Sequence, residues 1–204
     1  MAASPSLLIL ASTSRYRREL LSRLRLPFAV EAPGVDETPR PGEPPAALAQ
    51  RLALEKARAV AVRHPDSLVI GSDQVADLAG QPLGKPGSHA RAVEQLRRMS
   101  GQRVVFQTAL AVVRQDTGFE AVDLAAVTVT FRTLSDDEIQ TYLRLDEPYD
   151  CAGSARSESL GVALLTAIDS DDPTALVGLP LIRTCALLRA AGLDPLAIPS
   201  GLSA

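Results

Sequence analysis

Two short, uninterrupted apolar runs constrain the fold of this chain more than any other feature of its sequence. The first spans residues 6–11 (SLLILA), and the second spans residues 67–71 (SLVIG). A strand with one solvated face alternates apolar and polar side chains, whereas a strand buried on both faces has a continuous apolar sequence. We therefore predict two central strands in a sheet that is covered by helices on both sides.

Helical patterns alternate with these strands. Ser14 is a predicted N-cap, and apolar residues at helical spacing follow it until Pro27 ends the helix. Ser135 and Glu138 form a predicted capping box for a helix that reaches about Leu145. The remaining predicted helices span residues 46–64, 90–99 and 179–191.

Residues 103–114 and 119–132 form a predicted hairpin. They are rich in Val, Thr and Phe, and the turn sequence QDTG lies between them. Two more strands are predicted at residues 28–32 and 161–168. Because strands alternate with helices and one hairpin is inserted, we predict an α/β fold with a mixed, twisted sheet flanked by helices. The segments PGVDETPRPGEPP and GQPLGKPG are rich in proline and glycine, and we predict a loop and a turn there.

The size and charge of the chain limit the function classes. Its 204 residues suit one domain, which we place at residues 1–194, followed by a frayed tail at 195–204. Hydrophobic residues make up 46% of the chain, enough for a sizeable core. The formal net charge of −3 argues against a strongly basic nucleic-acid-binding surface, so we expect no nucleic-acid partner.

The sequence also indicates a compartment. No basic residues precede the first apolar run, and no apolar stretch approaches the length of a membrane span. Cys151 and Cys185 lie far apart and outside any CxxC pattern, which suits packed thiols in a reducing environment. We therefore expect a cytoplasmic protein with no membrane partner.

Three arginines stand where a helix is predicted to begin, in the sequence SRYRR. A helix N-terminus carries a partial positive charge and favours anions, so cations there are unfavourable unless an anion binds. We assign Arg17, one turn from the strand end, to a bound phosphate chain together with Ser14. Arg18 and Arg23 are better explained as solvated surface side chains.

Acidic and basic side chains follow the second apolar run and the Pro-rich loop. We predict that the second strand ends at Asp73, where a carboxylate binds a metal or activates water, although capping of the next turn is at least as common. With Glu37 it would supply the one or two carboxylates that Mg²⁺ commonly takes besides phosphate oxygens. Lys56 and Lys85 are candidate cations, although a helical lysine such as Lys56 is usually only solvated.

Several standard motifs are absent from the sequence. The segment GQPLGKP has the wrong glycine spacing for a phosphate loop, and Pro86 replaces the required Ser or Thr. No GxGxxG follows a strand, and no GxSxG nucleophile elbow occurs. His64 and His89 are isolated, which argues against a His-based zinc site and a Ser-His triad.

Seven segments together resemble the Maf family of nucleotide pyrophosphatases, also called septum formation inhibitor-like proteins. Between about Leu8 and Gly192 they occur in the order LASTSRYRRELL, APGVDETP, RLALEKA, IGSDQV, LGKP, CAGSARSESLG and VGLPL. The resemblance implies a fold related to the inosine triphosphate pyrophosphatases, with a cleft between two lobes. It also implies frequent homodimers and dependence on a divalent metal, such as Mg²⁺, Mn²⁺ or Co²⁺.

The resemblance assigns roles position by position. It implies that Asp73 is the proton acceptor, that Glu37 is the acid of the VDE loop, and that a phosphate-binding set surrounds them. That set is Ser14, Arg17, Lys56 and Lys85. Arg15 stands where the family usually has proline, which suits the first helical position, so we expect a slightly looser turn.

Three further positions indicate a subgroup. Members acting on dTTP and UTP typically have Arg, Thr and Gln where this chain has Tyr16, Gln74 and Glu158, a set that resembles the subgroup acting on 7-methyl-GTP. The 7-methylguanine ring is cationic, so an aromatic face attracts it, and Glu158 can accept hydrogen bonds from guanine N–H groups. Gln74 offers a donor and an acceptor. Packing of Tyr16 against Leu20 is the alternative for that residue.

The implied activity is hydrolysis of a nucleoside triphosphate to the monophosphate and pyrophosphate, with 7-methyl-GTP as the first candidate. The same chemistry on dTTP, UTP or another modified nucleotide is one alternative. A nucleotide-binding regulator of septum formation, with no hydrolysis, is an alternative from another class.

Overall fold

A computed structural model describes residues 8–197 of the chain, and within them a single mixed sheet carries seven strands. The order along the sheet is β2-β1-β3-β5-β6-β7, and β4 pairs with β3 outside this order. The strands are β1 (Leu8–Ala11), β2 (Phe28–Glu31), β3 (Leu68–Leu78), β4 (Gln81–Leu83), β5 (Arg103–Arg114), β6 (Phe119–Phe131) and β7 (Leu165–Asp169).

Five α-helices accompany these strands in the described part of the chain, so the predicted α/β class is confirmed. They are α1 (Arg15–Ser22), α2 (Pro45–Ala61), α3 (His89–Met99), α4 (Asp136–Asp146) and α5 (Leu181–Ala190). Two of the predicted caps are present. Ser14 accepts from the backbone N–H of Arg17 at 3.4 Å, and Ser135 and Glu138 form the capping box of α4.

Strand β3 runs through both halves of the sheet. It pairs in parallel with β1 only as far as Gly71, opposite Ala11, whereas on its other side it pairs antiparallel with β5 from Val69 to Asp77. The prediction that this strand ends at Asp73 is therefore wrong. Asp73 lies in mid-strand, just beyond the point where β1 leaves the sheet, and the gap left by β1 exposes that position to a cleft.

Gly71 allows α2 to pack tightly on β3. A Cβ atom there would lie 2.6 Å from the backbone nitrogen of Ala57, which no real side chain tolerates. Since Ala53 and Ala57 are themselves small and fully buried, the helix backbone rests almost directly on the strand. This close approach lets Lys56, on the same helix, reach the strand with its ammonium group.

The core is divided between two lobes. On one side, α2 packs against one face of β1, β3 and β5, while α1 and α5 pack against the other face. On the other side, the far halves of β3, β5 and β6 join β4, α3 and α4 in a separate apolar cluster around Phe106 and Met99. This agrees with the implied two-lobed architecture, and the cleft described below lies between these lobes.

Two predictions of local structure were wrong. Within GQPLGKPG, Gln81–Leu83 form strand β4, which pairs with β3 through Leu83 and Ala76, while Gly80 lies in the turn before it and the residues after it form a loop. Residues 160–164 form a 3₁₀ turn, and the strand predicted at 161–168 is instead Leu165–Asp169. Ser6 and Leu7 of the first predicted strand, and positions 198–204 of the predicted tail, lie outside the described residues.

Within residues 8–197, no helix is both long enough and apolar enough to cross a membrane.

Candidate active site

A cleft of about 900 Å³ opens between the two lobes, and every residue predicted for the site lines it. Its size is that of a typical small-molecule site. It begins where β1 ends, at Ser12, and includes the N-terminal turn of α1. The predicted residues on its wall are Ser14, Tyr16, Arg17, Glu37, Lys56, Asp73, Gln74, Lys85 and Glu158.

Lys56 is the centre of the charged end of the cleft, which we define as Arg17, Glu37, Lys56, Asp73 and Lys85. Its side chain is only 5% exposed, and its Nζ lies 2.7 Å from Asp73 Oδ1 and 2.7 Å from Glu37 Oε1. A buried ammonium is costly unless carboxylates compensate it, and here two do so. Lys56 therefore fixes the two acids relative to each other, in addition to any contact with a phosphate.

Glu37 enters this cluster from the loop between β2 and α2. Burial of the carboxyl group by itself would raise its pKa, but the hydrogen bond from Lys56 and the charges of Lys56, Lys85 and Arg17 outweigh it. The net effect lowers the pKa of Glu37 below its usual value. Glu37 is thus an anion at neutral pH although its surroundings are partly desolvated.

Arg17 projects from α1 into the same end of the cleft. Its Nε donates to the backbone carbonyl of Gly178 at 2.9 Å, which fixes the guanidinium. Burial lowers the pKa of Arg17, and the negative charges of Asp73 and Glu37 counteract that effect. Gly178 has a φ of 122°, which an L side chain rarely adopts, so glycine is needed for the carbonyl to face the arginine.

Lys85 is exposed at the mouth of the cleft, in the loop between β4 and α3. The neighbouring backbone is anchored on both sides. Gly84 accepts hydrogen bonds from Gln95 Nε2 at 3.1 Å and from the Gly153 N–H at 3.4 Å, and the Gly87 N–H donates to Tyr149 at 3.0 Å. The lysine therefore extends from a fixed loop while its own side chain stays in water.

Gln74 has one functional group left for a ligand. Its Nε2 lies 3.0 Å from the carbonyl oxygens of both Ala175 and Leu176, and 2.9 Å from Thr108 Oγ1. Since backbone carbonyls only accept, the amide nitrogen must face them, and the side-chain oxygen is left to face the cleft. We expected Gln74 to offer a donor and an acceptor, but the donor is occupied.

Tyr16 lies in the aromatic end of the cleft, which we define as Arg15, Tyr16, Cys151 and Glu158. It lines the cleft and belongs to none of the core clusters, so packing against Leu20 does not account for its position. Burial of the phenol, chiefly, raises the pKa of Tyr16. The Cys151 thiol approaches the Tyr16 hydroxyl at 4.0 Å.

Glu158 stands at the rim of the aromatic end. Partial burial of the carboxyl group raises the pKa of Glu158, while the charge of Arg156 acts in the opposite direction. The two glutamates of the cleft are thus shifted in opposite directions, because Glu37 has a direct cationic partner and Glu158 has none among the described residues.

Comparison with known proteins agrees with this geometry. Residues 7–191 match the family described as Maf-like protein, which is most of the chain. The chain belongs to the Maf-like family.

Close relatives of this Maf-like chain carry one name. A Polaromonas protein named 7-methyl-GTP pyrophosphatase is 70% identical over 91% of this chain and 84% of its own length. A protein of the same name from Albidiferax ferrireducens is 66% identical over 93% of this chain and 95% of its own. A third, from Bordetella pertussis, is 60% identical over 96% and 98%.

Arg51 lies outside the cleft wall but supports the Maf-like site, and sequence reasoning missed it. From α2 it donates to both carboxylate oxygens of Glu43, at 2.6 and 2.7 Å, and to the Thr38 carbonyl at 3.2 Å. It also donates to Glu55 Oε2 at 3.0 Å. It thereby holds the loop that carries Glu37 against the helix that carries Lys56. RLALEKA contains Arg51, but nothing in that motif indicates a partner in a distant loop.

The acids of this Maf-like site suit a cation bound together with a ligand. Among residues 8–197, no cluster of three or more His, Cys, Asp or Glu side chains could hold a metal ion by itself. Lys56 takes one oxygen of Glu37 and one of Asp73, and the second oxygen of each accepts no hydrogen bond from the described residues. Mg²⁺ is commonly bound by one or two carboxylates, with phosphate oxygens and water molecules as its remaining ligands, so these two carboxylate oxygens suit it.

Proposed function

We propose that this chain is a pyrophosphatase that hydrolyses 7-methyl-GTP to 7-methyl-GMP and pyrophosphate. The observation that carries the proposal is the buried Lys56, which links Asp73 and Glu37 inside a cleft that also contains Tyr16, Gln74 and Glu158. The charged end and the aromatic end thus lie in one cleft. The names of the relatives at 60 to 70% identity support the same substrate.

At the charged end, cations receive the triphosphate. Arg17 and Lys85 line the cleft from different elements, Arg17 from α1 and Lys85 from the loop before α3. Together they neutralise the negative charge that builds on the departing pyrophosphate. The Ser14 hydroxyl accepts from the Arg17 N–H and keeps its own proton for a phosphate oxygen. Lys56 adds a further positive charge between the acids.

Asp73 is the proposed proton acceptor. Lys56 holds its Oδ1, and the free Oδ2 orients the attacking water and takes its proton. The water oxygen then forms a bond to the α-phosphorus as the bond to the bridging oxygen of the β-phosphate breaks. Because β3 and α2 fix both partners, the carboxylate is aligned before the substrate arrives.

A divalent cation is a separate part of the proposal. Glu37 and Asp73 would hold Mg²⁺, Mn²⁺ or Co²⁺ through their free oxygens, and for Asp73 Oδ2 this is the alternative, or the addition, to its role as proton acceptor. When bound, such an ion neutralises charge on the phosphate oxygens. Activity that disappears with EDTA and returns with one of these ions is the expected result, whereas full activity in EDTA would remove the cation from the account.

At the aromatic end, the base is recognised by charge and hydrogen bonds. The carbonyl oxygen of Gln74 and the carboxylate of Glu158 are both acceptors, so they match N–H donors of a guanine. The Tyr16 ring offers a face for a cationic base. This arrangement favours a guanine derivative over thymine or uracil, which present fewer donors.

A substrate panel tests the proposed function. Release of pyrophosphate from 7-methyl-GTP, GTP, dTTP and UTP is measured side by side, and we expect the highest kcat/KM with 7-methyl-GTP. A preference for dTTP or UTP would favour the alternative specificity. Tight nucleotide binding with no pyrophosphate from any substrate, at any concentration of the three metals, would favour a regulator of septum formation.

We also propose that the protein is cytoplasmic, on the basis of its two thiols. Cys151 and Cys185 are both free, which is the state expected in the reducing cytoplasm.

A further inference from the structure

Arg15 is a cleft residue to which the family resemblance assigns no role, because proline usually stands there. As the first residue of α1 it lies beside Tyr16, with its Cζ 4.7 Å from the centre of the phenol ring. Its Nη2 also donates to the Tyr16 hydroxyl at 2.6 Å. Arg15 lines the cleft, so its guanidinium occupies part of the surface on which a base would lie.

A second guanidinium, that of Arg156, lies near the Tyr16 ring, but a neighbouring carboxylate balances its charge. Arg156 Cζ lies 5.8 Å from the Tyr16 ring centre. Its Nη1 donates to the Asp146 carbonyl at 2.9 Å and its Nη2 to Asp150 Oδ1 at 3.2 Å. Arg15, by contrast, makes no ion pair with any residue between 8 and 197. The charge that Arg15 brings to the aromatic end is therefore not balanced by a neighbouring carboxylate in direct contact.

We propose that Arg15 determines specificity at the base, by lowering the preference of this cleft for cationic over neutral purines. The inference rests on the proposed function. A 7-methylguanine ring is positively charged, so it is repelled by the guanidinium and must displace it from Tyr16 to reach the ring. A neutral base of the same shape is not repelled by the guanidinium. It only has to compete with Arg15 for the place on the Tyr16 ring.

The experiment compares two substrates that differ in charge and share a shape. One is 7-methyl-GTP, and the other is its neutral analogue 7-deaza-7-methyl-GTP. The kcat/KM of each is measured for the wild type, for Arg15→Gln, which removes the charge and keeps a polar side chain, and for Arg15→Ala. Arg18→Gln is the matched control, because Arg18 is exposed on the same helix and lies outside the cleft wall.

We expect both Arg15 variants to raise the ratio of kcat/KM for the cationic substrate to that for the neutral one by about three- to tenfold. Arg18→Gln should leave the ratio unchanged. The gain should shrink as salt is added, since the exposed charge is screened.

Two results would overturn the inference, a constant ratio and a lower ratio. A ratio that stays constant because both kcat/KM values drop in parallel would place Arg15 on the triphosphate. A wild type that hydrolyses neither substrate refutes the proposed function itself. Hydrolysis of 7-methyl-GTP with an unchanged ratio in the Arg15 variants refutes only the role of Arg15.

Discussion

The charged end and the aromatic end of the cleft differ in how they are built. Lys56 and Asp73 come from α2 and the middle of β3, and both are buried. The aromatic end takes Cys151 and Glu158 from a segment of short 3₁₀ turns and loop, and Arg15 and Glu158 are exposed. Lys56 and Asp73, which must be aligned closely, thus stand on rigid elements, while Cys151 and Glu158 stand in a segment where change is better tolerated.

The largest effect is expected from Asp73→Asn. The amide keeps the shape but neither takes a proton from water nor carries the charge that Lys56 compensates, so we expect kcat to fall by about a thousandfold. Release of pyrophosphate from 7-methyl-GTP measures this.

Asp77→Asn, on the same strand but outside the cleft wall, is the control and should stay near wild type. Turnover of Asp73→Asn within a few-fold of wild type would show that the charged end is not where the chemistry happens.

A second large effect contrasts two cations of the charged end. Lys56→Met leaves buried Asp73 without its nearest cation, and we expect the free energy of unfolding to fall by about 3 kcal/mol. Lys85→Met removes an exposed lysine and should change stability by less than about 0.5 kcal/mol. Urea denaturation of both variants gives the values, and equal losses would contradict the difference in burial.

The aromatic end should respond in KM instead of kcat. Glu158→Gln removes the negative charge that accepts from the guanine N–H groups, so we expect KM for 7-methyl-GTP to rise about tenfold with little change in kcat. Glu19→Gln, on the exposed side of α1, serves as the control. If kcat falls and KM stays constant, Glu158 belongs to the reacting end and the comparison breaks down.

The smallest effect concerns acid stability. Because the folded-state pKa of Glu37 lies below its reference value of 4.5, ionised Glu37 stabilises the fold above that pH, and the contribution is lost as pH falls through the lowered pKa. The side chain is 56% exposed, so screening keeps the contribution below about 1 kcal/mol.

Wild type and Glu37→Gln should therefore differ in stability at pH 7 and converge in acid. A difference that grows as pH falls would reverse the sign of the assigned shift.

Local signals made much of the fold predictable. The Ser14 cap and the Ser135–Glu138 capping box are set by neighbours in sequence, and helices α1 and α4 begin where those residues predict. Strand β4 was missed because three residues containing Pro82 carry little propensity of their own, and their pairing with β3 decides the structure.

The sequence predicted which residues line the cleft better than it predicted how their side chains are oriented. All nine predicted residues line one cleft. They could be picked from the sequence because the motifs that contain them occur in the order typical of the family. The direction of Gln74 could not be foreseen, because carbonyls about a hundred residues away, at Ala175 and Leu176, fix its amide. The position of Lys56 between two acids likewise depends on how closely α2 approaches β3 at Gly71.

Hydrolysis of 7-methyl-GTP in water enriched in the heavy isotope of oxygen tests the central claim most directly. If water held by Asp73 attacks the α-phosphorus, the products are 7-methyl-GMP and pyrophosphate, and all of the heavy isotope is found in 7-methyl-GMP. Heavy oxygen in the pyrophosphate, or formation of 7-methyl-GDP and phosphate, would contradict the proposed alignment of the triphosphate along the charged end.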